Sequence, residues 1–68
     1  MPNHVYKSIE ITGSSTKTVE DAINGAIAKA AKTLHNLRWF QVSEVRGAIE
    51  ANKVAHRQVT MKLGFTLD

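Results

Sequence analysis

Only one stretch of this chain carries a helical period, and the stretches on either side alternate. From about Thr16 to Leu34 the apolar residues Val19, Ile23, Ala26, Ile27, Ala30 and Leu34, continued by Leu37, recur at i, i+3/i+4 and i+7. Lys17, Glu20, Asp21, Asn24 and Lys32 lie largely off that stripe. One amphipathic helix covers one face of a sheet. Any sheet built by the flanking strands therefore keeps a second face that no helix of this chain covers.

That matters because the chain is short. Its 68 residues make one domain, spanning 1–68. A chain of this size buries only ~60% of the surface that its unfolded form exposes. Disulfides, a metal or oligomerisation are the usual remedies. There is no Cys, and His4, His35 and His56 are scattered without ligand spacing, so no metal site is expected. Oligomerisation is the remaining route. No apolar run approaches the ~20 residues of a membrane span, and no basic-then-apolar signal segment opens the chain. The expectation is a soluble, cytoplasmic protein without a membrane partner. The formal charge of +3 is modest and dispersed, which reads as a solvated surface with a mild bias toward anions.

Around the helix the period is two. Val5, Ile9 and Ile11 fall on one face of a first strand running from Val5 to Thr12, with Tyr6, Ser8, Glu10 and Thr12 on the other. Gly13-Ser14-Ser15 is expected to break it, with Ser15 or Thr16 as helix N-cap. Ala22, Gly25, Ala26, Ala28, Ala30 and Ala31 make the helix small-sided, so close packing is expected to offset the cost of Gly25. A second strand, Arg38 to Ile49, has a defect: Phe40 and Val42 share one parity and Val45 has the other. A β-bulge near Ser43-Glu44 reconciles them. After a turn at Glu50-Ala51-Asn52-Lys53, a third strand runs from Val54 to Leu67. Val59, Met61, Leu63, Phe65 and Leu67 line one of its faces, and His56, Gln58, Thr60, Lys62 and Thr66 the other.

The order strand-helix-strand-strand specifies an α+β fold. The helix returns the chain, so the third strand fits between the other two. The expected result is a three-stranded antiparallel sheet of order 1-3-2 with one helix packed on one face. The open face would carry Trp39, Gln41, Gln58, Thr60 and a redirected Val45 or Arg46, which makes it an assembly surface.

Trp39 is the one Trp among four aromatic residues. Trp39 and Phe40 are sequence neighbours, so in a strand they point to opposite faces. Phe40 is expected in the core beneath the helix and Trp39 on the open face. A Trp face beside the Gln58 carboxamide suits a flat heteroaromatic ligand: the ring stacks, and the amide offers one donor and one acceptor. Arg46 adds a fixed cation. The same residues serve equally as a subunit contact (Trp39), an exposed strand residue (Gln58) and an ion-pair partner (Arg46).

Three motifs extend this reading: Ile9-Glu10-Ile11-Thr12-Gly13-Ser14-Ser15, Trp39-Phe40-Gln41-Val42-Ser43-Glu44-Val45-Arg46-Gly47, and Ala55-His56-Arg57-Gln58-Val59-Thr60-Met61-Lys62-Leu63-Gly64-Phe65. In motifs, length and element order the chain resembles the dodecins, a family of small flavin-binding proteins. The resemblance implies a hollow homododecamer that binds FMN, riboflavin or lumichrome in antiparallel pairs between symmetry-related tryptophans. Trp39 then matches the stacking Trp, Gln58 the Gln on the pyrimidine edge of the ring, and Arg46 a basic residue near the flavin. It implies flavin storage or sequestration rather than catalysis. Coenzyme A, bound by some bacterial members near the threefold axis, is a further implied ligand.

Two other function classes follow from the residues. Single-stranded nucleic-acid binding uses an aromatic platform in a basic groove. One Trp, mild basicity and no aromatic ladder stand against it, and no nucleic-acid partner is expected. Such binding weakens steeply with salt, whereas stacking of neutral riboflavin does not. Enzymatic action on flavin is the other class, and no Ser-His-Asp, Cys-His or paired-carboxylate arrangement is apparent.

Overall fold

A computed structural model describes residues 4–67. The elements are β1 (Tyr6–Ser15), α1 (Val19–Ala30), β2 (Leu37–Glu50) and β3 (Lys53–Thr66). They form the expected antiparallel sheet of order β1-β3-β2. The alternation of β3 decides the core. Val59, Met61 and Leu63 are fully buried and meet Ala22 of the helix, flanked by Ile9, Ile11, Ile23 and Ile27. Each such side chain contributes ~1.5–3 kcal/mol on burial, so the centre of the protomer rests on β3.

β1 is longer than its alternation suggests, because Gly13-Ser14-Ser15 does not break it. All three residues stay in register, opposite Val59, Gln58 and Arg57. Gly13 is there for closeness: a Cβ at this position would lie 2.5 Å from the Ala22 carbonyl oxygen and 2.8 Å from the Ala26 Cβ. The small residues Ala22 and Ala26 and a strand glycine thus bring helix and sheet into contact. Gly25 has no such reason, since nothing lies within 4 Å of the Cβ it lacks.

With Ser15 held in the strand, the N-cap moves to Thr18. Its Oγ1 accepts from the Asp21 N–H at 2.9 Å. Ser15 instead accepts from the Lys17 N–H and donates to Asp21 Oδ2 at 2.6 Å. The helix is also shorter than its apolar stripe. After Ala30 the chain tightens, with Lys32 N–H donating to the Lys29 carbonyl and Thr33 N–H to that of Ala30. Asn36, at φ 64, then reverses it. Leu37 therefore reaches the core from β2, not from the helix.

The Ser43 bulge is present, between the pairs Val42↔Met61 and Glu44↔Thr60. The Ser43 hydroxyl donates to the Thr60 carbonyl at 3.1 Å, which uses a ladder group that the bulge disturbs. The bulge returns Val45 to the helix side, opposite Val59, and sends Arg46 to the open side, opposite Gln58. The β2–β3 turn has Ala51 at φ 51 and Asn52 at φ 64, a two-residue connection with both central residues left-handed.

The expectation for Phe40 requires correction. It shares the helix side with Leu63, yet it remains 48% exposed. The reason is the placement of α1, which packs on β1 and β3 and leaves β2 to one side. Phe40, Val42 and Val45 form an apolar strip that the protomer does not cover. Among the described residues no helix is long and apolar enough to cross a membrane.

Candidate functional site

The open face is a ladder of cross-strand rows, read from β1 through β3 to β2. Ser14, Gln58 and Arg46 form one row, Thr12, Thr60 and Glu44 the next, then Glu10, Lys62 and Gln41, then Ser8, Gly64 and Trp39. Within it the hydroxyls of Thr12 and Thr60 lie 3.0 Å apart, in hydrogen bond. The inner rows are polar, and the aromatic ring stands at one end.

Trp39 is placed by two features. A register shift between Leu37 and Trp39 sets it opposite Gly64 on the open side. The indole then lies against the strand at Gly64, where a Cβ would overlap ring atoms Cε2, Cζ2 and Nε1. Gly64 is buried, while the indole that covers it keeps 41% of its surface exposed. One side of the ring is seated and the rest is available. Sequence reasoning did not single out Gly64. The available signal was a glycine interrupting the β3 pattern, which marks a close approach.

Gln58 and Arg46 are cross-strand partners, so the structure brings those two together. It does not bring either to Trp39. Six residues along β3 separate Gly64 from Gln58, which at ~3.3 Å per residue is about 20 Å. Ring and carboxamide therefore cannot touch one ligand from a single protomer. A cleft of about 170 Å³, lined by Ile27, Leu37, Arg38, Trp39, Phe40 and Leu63, opens mainly on the helix side of the sheet and not on the open face. On the open face, the separation of Trp39 from Gln58 leaves one chain with part of a site. Thr66, further along the same face of β3, is 6% exposed and uncharged. Its Oγ1 has no hydrogen-bond partner among the described residues, and it offers no cation to the phosphates of coenzyme A. No group of three or more potential metal ligands occurs among the described residues.

A half-exposed ring on a sheet with an uncovered strand suits a small ligand-binding protein. The comparisons with known proteins give the class its name. The dodecin family model matches residues 5–68, and the chain belongs to the dodecin family, whose members typically bind flavins. It is 45% identical over 64 residues to the dodecin of Thermus thermophilus, covering 94% of this chain and 93% of that one. The dodecin structure from Streptomyces davaonensis superposes with a TM-score of 0.91 at 51% identity, covering 98% of each chain. That from Streptomyces coelicolor gives a TM-score of 0.92 at 47% identity, covering 100% of this chain and 97% of the other.

Proposed function

We propose that this chain, acting as one domain over 1–68, stores flavin in a homododecameric cage. FMN, riboflavin and lumichrome share the tricyclic ring that the site selects. The observation that carries the reading is the Trp39 indole, seated on Gly64 along one side and 41% exposed. A ring held this way presents a flat apolar surface without an ordering cost on binding, which favours stacking of another flat ring.

The separation of Trp39 from Gln58 favours assembly of the site at a symmetry axis. Two copies of Trp39 facing across a twofold would sandwich a pair of stacked rings. Gln58 of a neighbouring protomer then has the right chemistry for the pyrimidine edge, which alternates donors and acceptors as a carboxamide does. Arg46, opposite Gln58, supplies positive charge where a ribityl phosphate would emerge. A bound flavin contributes its visible absorption and photoreactivity, and an indole in van der Waals contact quenches its excited state. Storage and photoprotection would be one property of the same contact.

The test is the absorption spectrum of the purified protein before and after denaturation, followed by a riboflavin titration of the ligand-free form. A yellow, fluorescent chromophore released on denaturation, or strong quenching of added riboflavin, is the expected result. A colourless protein that leaves riboflavin fluorescence unchanged would refute flavin storage.

A further inference from the structure

We infer that Gly64 is a positioning residue of the stacking site: its missing side chain is the seat that holds the Trp39 ring against the sheet and turns its free face outward. The inference rests on the flavin reading of the site. Gly64 lies on the central strand, paired with Ser8 on one side and Trp39 on the other, and not at a turn. No described glycine has a positive φ, so no left-handed backbone requires a glycine there. Glycine is a poor strand residue, losing more conformational freedom on folding than any other and bringing no side chain to the pleat. What it provides here is space. A single methyl at this position would occupy the volume of indole atoms Cε2, Cζ2 and Nε1.

Gly13 and Gly47 differ in kind. Their absent Cβ atoms face main-chain carbonyls, of Ala22 at 2.5 Å and His56 at 2.7 Å. A substitution there must move backbone. At Gly64 the obstructed group is a side chain with two rotatable bonds, so a methyl displaces the ring before it displaces the strand. The ring would swing off the sheet, its outward face would lose the orientation that a twofold-related partner must match, and stacking would fail with the ladder intact. A purely structural pairing of Trp with Gly, in which the ring shields exposed backbone, predicts the reverse: lower stability, with unchanged affinity in the molecules that remain folded.

The experiment compares wild type, Trp39→Ala, Gly64→Ala and the double variant by riboflavin fluorescence titration, light scattering and thermal unfolding. Gly64→Ala should keep the assembly mass and lose riboflavin affinity by about two- to tenfold, the equivalent of one aromatic stack. Its thermal midpoint should fall no further than that of Trp39→Ala. In the Trp39→Ala background the same glycine change should be neutral or stabilising, since alanine is the better strand residue once the ring is gone. Unchanged affinity in Gly64→Ala, or an equal thermal cost in both backgrounds, would overturn the inference. Should Gly64→Ala not assemble, the ligand-free wild type decides, because Trp39 is the sole indole fluorophore. Time-resolved anisotropy should show a ring that turns only with the whole particle, and rapid independent ring motion would refute the seat. Wild type that takes up neither riboflavin nor FMN would refute the flavin reading itself, an outcome distinct from uptake that Gly64→Ala leaves untouched.

Discussion

At the residue scale, the division of labour between Trp39 and Gln58 predicts two different losses. Gln58 is half-buried and aligned with Arg46. Gln58→Ala removes one hydrogen-bonding group, worth ~0.5–1.5 kcal/mol net. Riboflavin affinity should fall several-fold, with the assembly mass unchanged. Trp39→Ala should cost more, because in the proposed twofold site it deletes both walls of a shared pocket at once. Two stacks at ~0.5–1.5 kcal/mol each, plus the apolar area lost at ~25 cal/mol per Å², amount to roughly two orders of magnitude or more. Fluorescence titration of both variants checks the order. Equal losses would mean that the ring contributes no more than the amide.

At the element scale, the alternating periods were the legible part. They specified three strands, one helix, the sheet order and the buried row Val59, Met61 and Leu63, since a face that must be apolar leaves its period in the chain. The Ser43 bulge was legible for the same reason: Phe40, Val42 and Val45 cannot share a face without it. Element ends were not legible. Ser15 and Thr18 can both cap a helix by chemistry, Ser slightly the better, and only the pairing of Ser15 with Arg57 moves the cap to Thr18. The separation of Trp39 from Gln58 was hidden because facing follows from parity, whereas distance follows from register. The cap and the turn that the structure adds can each be tested. Thr18→Ala removes the bond to the Asp21 N–H and should destabilise by ~1 kcal/mol. Ala51→Gly should stabilise, because a non-glycine residue at φ 51 carries a left-handed cost of roughly 1–2 kcal/mol, partly offset by the greater unfolded-state freedom of glycine. Thermal unfolding should place the two variants on opposite sides of wild type.

At the scale of the whole molecule, the decisive fact is that the helix misses a strand. α1 packs over β1 and β3, so the helix side of β2 exposes Phe40, Val42 and Val45, with Ile49 further along the same strand. Sequence parity placed Phe40 on the correct face, but the expectation that the helix covers it fails, because one 12-residue helix is ~10 Å wide and three strands at ~4.8 Å spacing need more cover than that. The protomer is thus buried along β3 and uncovered along β2, and a second copy is expected to cover what the helix does not. A particle of about twelve times the 7.5 kDa chain mass is expected in light scattering. Phe40→Ala should then leave the protomer core largely intact, since Val59, Met61 and Leu63 lie elsewhere. Phe40→Asp is the sharper test. A carboxylate forced into an apolar contact costs several kcal/mol unless it is paired, and the cost repeats at every copy of the contact. The expected outcome is a shift from the large particle to small species at micromolar concentration, with far-UV circular dichroism that still reports sheet and helix. Riboflavin uptake should disappear with the particle, because in the proposed site Trp39 and Gln58 reach one flavin from different protomers. A Phe40→Asp protein that kept its full mass would show that this strip is not the interface. One that dissociated and still bound riboflavin with wild-type affinity would show that a single chain completes the site, despite the ~20 Å along β3 between its two ends.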